Sequence, residues 1–178
     1  MRPDAVTLPE IEKAVRNIPD WPKPGIQFKD ITPVLADARL FAASIAFLAG
    51  PHAPGSIDAV AGIEARGFIF AAAVAWHLGA GFVPVRKQGK LPYRTVEASY
   101  ALEYGTNTIA VHADALKPGA RVLLVDDVLA TGGTAAAAAG LLRQLGGQLV
   151  EVVFLIELFF LKGRDRLGAG QVRSLLTF

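Results

Sequence analysis

Two adjacent aspartates, Asp126 and Asp127, end an apolar run and lead into a turn rich in glycine and threonine. The run and its turn read VLLVDDVLATGGTAAAA, from Val122 to Ala138. Ionised aspartates accept hydrogen bonds from hydroxyl groups and bind Mg²⁺. Glycines let the backbone come close to a bound group, and threonines add hydroxyl donors. This spacing predicts a site for an anion beside a diol or a metal ion.

The anion that best fits this turn is a phosphate. A helix that begins after the turn exposes unpaired N–H groups and the positive end of its dipole, which together cradle a phosphate. The candidates for the cradle are Ala130, Thr131, Gly132, Gly133 and Thr134. Because carboxylates repel a phosphate, the aspartates make sense if the ligand carries vicinal hydroxyls, or a metal ion, one sugar's width away. The stretch therefore predicts a ribose 5-phosphate site.

Two alternatives explain the same stretch less well. A capping turn would need only one aspartate, and it leaves the second acid and the TGGT sequence without a role. A Walker-type phosphate loop is excluded because neither GKS nor GKT occurs here.

The elements that must position this site follow from the rest of the chain. Near-continuous apolar strands alternate with helical segments, which is typical of a parallel sheet covered on both faces and predicts the α/β class. The carboxyl edge of such a sheet binds ligands, so the predicted turn at Asp126–Gly133 lies at the binding edge. An antiparallel excursion or mobile loop is predicted over Gln88–His112. The predicted helices include Ile11–Ile18, Ala38–Gly50, Phe68–Leu78 and Thr134–Leu145, and the predicted strands include Ile57–Ile63, Phe82–Lys87, Arg121–Val125 and Leu149–Leu158.

The composition excludes several classes of protein. With 178 residues, 52% hydrophobic and 19% charged, the chain predicts one folded domain rather than a disordered segment. The absence of cysteine excludes disulfides and thiolate metal sites, and it fits a cytoplasmic location. A net charge of only +2 lacks the dense basic stripe of a nucleic-acid binder. No signal peptide or membrane span is predicted, so we expect a soluble protein without membrane partners.

The stretch VLLVDDVLATGGT resembles the motif with which type I phosphoribosyltransferases bind phosphoribosyl-pyrophosphate (PRPP). Further segments resemble, in the right order, the members of that family that use adenine. The resemblance covers most of the chain, from about Ile11 to Leu176. These segments are Ile18–Leu35 (IPDWPKPGIQFKDITPVL), Gly62–Phe70 (GIEARGFIF), Val85–Pro92 (VRKQGKLP), Ala98–Gly105 (ASYALEYG) and Glu157–Leu167 (ELFFLKGRDRL).

The resemblance implies a fold and a reaction. The fold is a central, mostly parallel sheet flanked by helices in one domain over residues 1–178. It carries a small N-terminal hood or arm for the base, about residues 1–35, and a mobile antiparallel catalytic loop, about residues 86–112. The reaction is adenine plus PRPP giving AMP and pyrophosphate in purine salvage. Mg²⁺ is expected to ride on PRPP rather than on protein ligands.

The resemblance also implies roles for charged residues near the leaving group. The expected transition state resembles an oxocarbenium ion, so catalysis consists mainly of positioning and electrostatics. Arg66, at a strand-to-helix turn, is implied to be catalytic and to hold pyrophosphate, and the peptide before it, Ala65–Arg66, is expected to be cis. Positive charge for binding the same pyrophosphate is also expected from three further residues, Arg86, Lys87 and Lys90. Glu103 matches the family's loop glutamate, which assists proton movement, and Tyr104 would cover the site.

Four residues are implied to bind the purine. Phe28 would stack on one side of adenine and Val128 would press from the other, while the main chain of Gln27 and Lys29 reads its edge. Gln27 and Val128 depart from the small aliphatic residue and the leucine expected at these positions. A homodimer is also expected, because enzymes that resemble this chain are usually dimers.

Two alternative functions stay open. The first is a related transferase that uses hypoxanthine, guanine or xanthine, although GIQFKD and the C-terminal VRSLLTF favour adenine. The second is a PRPP-sensing regulator that has lost catalysis and binds nucleic acid. Such a regulator is expected to carry an added DNA-binding domain and to lack the loop glutamate, whereas this chain retains Glu103.

Overall fold

The sheet predicted from the apolar strands lies in the second of two units of the chain, Met1–Phe47 and Leu48–Phe178. The computed structural model of the chain describes residues 6–101, 105–168 and 172–178. The single-domain organisation over residues 1–178 stays a prediction.

The first unit combines short helices with a two-stranded antiparallel sheet. Helix α1 spans Leu8–Ala14, strand β1 Arg16–Pro19, strand β2 Gln27–Asp30, helix α2 Thr32–Ala36 and helix α3 Ala38–Ala49, which ends two residues past the boundary. In the sheet, Ile18 of β1 lies opposite Phe28 of β2. The rings of Phe28 and Trp21 meet edge to face with centroids 4.4 Å apart, which stabilises the hairpin.

The helix predicted over Ile11–Ile18 is wrong at both ends. It begins earlier because the carboxylate of Glu10 accepts a hydrogen bond of 2.8 Å from the N–H of Thr7, a capping interaction. It stops at Ala14 because the following residues pair with β2 instead. Pairing with a distant strand overrides the local helical periodicity of this segment.

The second unit is built on one seven-stranded sheet with the strand order β5-β6-β4-β3-β7-β8-β9. Strands β4, β3, β7, β8 and β9 run parallel to one another, whereas β6 pairs antiparallel with both β4 and β5. The elements are β3 Ala59–Ile63, α4 Gly67–Leu78, β4 Gly81–Lys87, β5 Thr95–Ala101, β6 Thr106–His112, β7 Arg121–Leu129, α5 Gly133–Gln144, β8 Gln148–Glu157 and β9 Val172–Thr177. Two 3₁₀ turns, Phe159–Leu161 and Gly163–Leu167, separate β8 from β9.

Helices α4 and α5 cover opposite faces of this sheet. Gly62 of β3 faces α4 so closely that an added Cβ would lie 2.5 Å from the Cβ of Ala71. The preceding residue Ala61 belongs instead to the core cluster that contains Leu124 of β7 and Ala138 of α5. Since successive side chains of a strand point to opposite faces, the two helices lie on different sides. The predicted α/β class, with a mostly parallel sheet flanked by helices, is confirmed.

Two details differ from the expectations. Strand β7 continues to Leu129, so Asp126 and Asp127 belong to the strand and not to the turn predicted over Asp126–Gly133. This happens because Asp126 and Val128 keep their pairing with β8. Strand β9 was not predicted. The antiparallel excursion is confirmed as β5 and β6, while its mobility stays a prediction. Among the described residues, no helix is both long and apolar enough to span a membrane.

Candidate active site

A cavity of about 450 Å³ lies at the carboxyl edge of the parallel strands β3 and β7. It is lined by the turn after β3, by the last residues of β7 and by the turn that leads into α5. This is the sheet edge at which α/β proteins bind ligands. The predicted site residues that line it are Arg66, Asp126, Asp127, Val128, Ala130, Thr131, Gly132 and Thr134.

The turn before α5 has the backbone shape of a phosphate cradle. Gly132 caps the helix with φ of 80°, a left-handed conformation that favours glycine. A side chain at Gly132 would overlap the carbonyl oxygen of Gly163, and one at Gly163 would overlap that of Ala130. The N–H groups of the first turn of α5 cannot be used within the helix, so they are available to an anion. Gly133 begins α5 but is buried and does not line the cavity.

Asp126 and Asp127 form a tight acidic pair on β7. The N–H of Asp127 donates a hydrogen bond of 2.9 Å to Oδ1 of Asp126, and only 5% of Asp127 is exposed. Gly67 is required beside them, because a Cβ there would overlap Oδ1 of Asp126. Burial, followed by the charge of Asp127, raises the pKa of Asp126 well above its usual range. The two carboxylates are therefore held close together at a cost in charge repulsion.

Arg66 is the cation that faces this pair. Its Nε lies 2.7 Å from Oδ2 of Asp127. Burial raises the pKa of Asp127, although the guanidinium of Arg66 opposes the rise. Arg66 is also 41% exposed at its side chain, so it reaches from the acid towards solvent. A guanidinium in this position can contact an anionic group of a ligand while it remains beside the acids.

Glu64, which precedes Arg66 in the same turn, ties this turn to the end of β4 through hydrogen bonds. This carboxylate accepts hydrogen bonds of 3.3 and 3.1 Å from the guanidinium of Arg86 and one of 3.1 Å from the N–H of Lys87. The hydrogen bonds from Arg86 lower the pKa of Glu64. The cis peptide of this turn joins Glu64 and Ala65. The expected cis bond at Ala65–Arg66 was therefore placed one bond too late, since the sequence has no proline to mark it.

The remaining predicted residues are not among those recorded around the described part of the cavity. Among the described residues around the cavity, Arg86, Lys87 and Lys90 do not appear, and the Nη1 of Arg86 donates to the carbonyl oxygen of Lys90 at 2.9 Å. The purine-contacting candidates Gln27, Phe28 and Lys29 lie on β2 of the first unit. Glu103 and Tyr104 lie outside the described residues.

Three residues of the site were not singled out from the sequence. Tyr100 lines the cavity, and its phenol accepts a hydrogen bond of 2.9 Å from Oγ1 of Thr134. Glu64 also lines the cavity. Gly163, in the segment after β8, packs against the turn that leads into α5. All three belong to segments that resemble the family, ASYALEYG, GIEARGFIF and ELFFLKGRDRL, but the resemblance gave no role to these positions.

Comparison with known proteins identifies the family to which this chain belongs. Residues 27–167 match the family model of the phosphoribosyl transferase domain. An adenine phosphoribosyltransferase from Acidothermus cellulolyticus is 65% identical over 162 residues, which cover 91% of this chain and 92% of that protein. The chain belongs to the adenine phosphoribosyltransferase family.

Solved structures of this family have the same fold. The enzyme from Thermoanaerobacter pseudethanolicus superposes with a TM-score of 0.92 at 52% identity. The match covers 97% of this chain and 100% of that chain. The enzyme from Saccharomyces cerevisiae, solved in complex with D-2,5-dideoxy-2,5-imino-altritol 1,6-bisphosphate and adenine, gives a TM-score of 0.89 at 41% identity. That match covers 94% of this chain and 97% of the yeast chain.

Proposed function

We propose that the protein transfers the phosphoribosyl group of PRPP to adenine and releases pyrophosphate, which makes AMP for purine salvage. One observation carries the proposal: Asp126 and Asp127 share a cavity with the glycine turn at the start of α5. The yeast relative was solved with adenine and a bisphosphate, which supports the same ligand classes here.

The paired acids and the glycine turn would hold the ribose 5-phosphate part of PRPP. Ionised Asp126 and Asp127 accept hydrogen bonds from the 2′ and 3′ hydroxyls. The 5′-phosphate would accept hydrogen bonds from the N–H groups at Ala130–Gly133 and from the hydroxyl of Thr131, and Thr134 would complete the cradle with its N–H group. The cavity of about 450 Å³ is large enough for a ligand of this size. Holding both ends of the pentose fixes the position of its C1′ carbon, where bonds break and form.

Arg66 would stabilise the leaving pyrophosphate. Its guanidinium lies beside Asp127, so a substrate whose ribose binds the acids also brings its pyrophosphate within reach. Negative charge grows on the pyrophosphate as the glycosidic bond lengthens, and a fixed cation stabilises that charge most in the transition state. Arg86, Lys87 and Lys90 would add positive charge near the same group. Glu64, which holds Arg86, would position it rather than contact substrate.

Mg²⁺ fits this site as a part of the substrate. The described residues contain no group of three or more His, Cys, Asp or Glu side chains that could hold a metal ion. Two carboxylates beside a pyrophosphate suit an ion that keeps several waters and is bound mainly through phosphate oxygens. When bound, Mg²⁺ would neutralise part of the pyrophosphate charge.

The remaining roles concern binding of the purine and transfer of the proton that adenine loses. Phe28 and Val128 would sandwich adenine, and the main chain of Gln27 and Lys29 would read its edge. Glu103 would assist the proton movement at the base, and Tyr104 would cover the site and exclude water.

The test is pyrophosphate release from PRPP and Mg²⁺ in the presence of each purine separately. We expect release with adenine and little with hypoxanthine, guanine or xanthine. Release with an oxopurine but not with adenine would reject the specificity. Calorimetric binding of PRPP without turnover on any purine would reject the enzyme and favour the regulator.

A homodimer and a cytoplasmic location belong to the same proposal. Helix α4 presents apolar residues at helical spacing, Ile69, Ala72, Ala73 and Trp76, and Ile69 and Trp76 are 42% and 85% exposed. A second copy of the chain would cover this stripe. Sedimentation should give the mass of a dimer, and Trp76→Glu should shift it to a monomer; a monomeric parent protein would refute this part. The absence of cysteine supports a reducing compartment.

A further inference from the structure

Tyr100 joins the antiparallel excursion to the phosphate turn. It lies near the end of β5, where it pairs with Asn107 of β6. Its hydroxyl accepts a hydrogen bond of 2.9 Å from Oγ1 of Thr134, the second residue of α5. Tyr100 is half-buried and lines the cavity together with Thr134.

The strand directs this side chain inwards. Val96, Ala98 and Tyr100 are all partly buried against the main core cluster, as alternation along a strand requires. The neighbouring Ser99 is exposed, and its hydroxyl bonds that of Thr108 on β6 at 2.8 Å. The ring of Tyr100 therefore packs on the core, and its hydroxyl reaches Thr134 in the first turn of α5.

We propose that Tyr100 is a binding residue for the 5′-phosphate of the substrate and that Thr134 holds the tyrosine hydroxyl in place. This inference rests on the proposed function, because it takes the turn before α5 as the phosphate site. Thr134 donates its proton to Tyr100, which fixes the rotamer of the threonine at the mouth of the turn. A phenol oxygen that accepts one hydrogen bond still carries its own proton, which it can donate to a phosphate oxygen.

The same hydrogen bond ties two parts of the proposed mechanism together. Tyr100 precedes Glu103, the predicted loop glutamate, by three positions in the sequence. Attachment of Tyr100 to Thr134 fixes the end of β5 from which that segment continues. Binding of the phosphate at the turn and the position of Tyr100 near the end of β5 would therefore favour each other.

The experiment compares two parts of the substrate on Tyr100→Phe, which keeps the ring and removes only the hydroxyl. Calorimetry should show about fivefold weaker binding of ribose 5-phosphate, the effect of about one lost hydrogen bond, and unchanged binding of magnesium pyrophosphate. The KM for PRPP should rise by a similar factor. In a Thr134→Val background, Tyr100→Phe should have little further effect, because the two hydroxyls act as one unit.

Ser99→Ala is the matched control, since it removes a hydroxyl from the adjacent residue of β5 on the opposite face. It should leave the binding of both ligands unchanged. Equal weakening of both ligands by Tyr100→Phe, or unchanged ribose 5-phosphate binding, would overturn the role of Tyr100 alone. If the parent protein binds no ribose 5-phosphate at all, both this inference and the proposed function fail.

Discussion

Two buried acids on β7 and two on the neighbouring strand β8 have pKa values shifted in opposite directions. Asp126 and Asp127 lie on β7, and burial raises the pKa of both. Glu151 and Glu157 lie on β8, and both are also buried. Burial works against the charge of Glu151, but its cationic partners outweigh this and keep its pKa low. Hydrogen bonds from Arg164 lower the pKa of Glu157 despite its burial.

The difference lies in how many partners the protein supplies. Arg173 donates to both oxygens of Glu151 at 2.9 and 2.8 Å, and Nε2 of His52 lies 3.1 Å from the same carboxylate. On β7, the guanidinium of Arg66 contacts Asp127, and Asp126 accepts a hydrogen bond from the N–H of Asp127. Within the part of the chain that the structure describes, the acids of β8 are therefore satisfied by the fold. Those of β7 keep acceptor capacity, which a ligand with hydroxyl groups can use.

The largest effect should come from the acids of β7. Asp127→Asn should weaken PRPP binding by about a hundredfold, because a hydrogen bond to a charged acceptor contributes up to about 3 kcal/mol. Calorimetric titration with PRPP measures this change. Glu103→Ala should have the opposite profile, with a large loss of turnover and nearly normal PRPP affinity.

Asp114→Asn provides the control, because it removes an equivalent charge from an exposed residue outside the cavity. Its PRPP affinity should match that of the parent protein. Normal affinity and turnover in both Asp127→Asn and Glu103→Ala would show that the assigned roles are wrong.

The sequence analysis assigned a role to the acids of β7 but none to the acids of β8. The acids and the glycine turn stand in one continuous stretch, Val122–Ala138, so local spacing was enough to indicate a ribose phosphate site. The α/β class followed in the same way from apolar runs that alternate with helices. Both features depend on short-range patterns, which a sequence displays directly.

The features that the sequence did not predict depend on distant pairings. Strand β1 was expected to be helical, because only β2 makes it extended. Gly163 contacts the turn at Ala130–Gly132 from more than thirty positions away, and Tyr100 meets Thr134 across 34 positions. The residues that flank Gly163 and Tyr100 in the sequence do not predict these contacts. The partners of Glu151 and Glu157 are distant in the same sense.

A smaller effect, on stability rather than binding, should come from the acids of β8. Glu157→Gln should lower the free energy of unfolding by about 2 kcal/mol, because Arg164 and Ser174 lose a charged acceptor while Arg164 stays partly solvated. Urea denaturation measures the change. Glu97→Gln, an exposed glutamate on β5, is the control and should change stability by less than about 0.5 kcal/mol. Equal stability of both variants would mean that Glu157 does not stabilise the fold.

The smallest effect should have the opposite sign. Asp126→Asn should stabilise the unliganded protein by about 1 kcal/mol at a pH above the raised pKa of Asp126, because it removes a buried charge next to Asp127 and keeps the amide oxygen as acceptor. The pKa of Asp126 is raised in the folded state, so the cost of its charge is complete above that pKa and disappears as the pH falls through it. The advantage of Asp126→Asn should therefore be complete above the raised pKa of Asp126 and shrink as the pH falls through it.

Glu157 provides the reverse pH dependence. Its pKa is lowered from 4.5, so its contribution is complete above that value and is lost only as the pH falls through the lower folded value. The deficit of Glu157→Gln should thus stay constant over the range in which the gain of Asp126→Asn declines. Urea denaturation of the two variants and the parent protein across this range measures both trends. A gain for Asp126→Asn that grows on acidification would contradict the raised pKa, and with it the view that the β7 acids are held ready for a ligand at a cost to the empty fold.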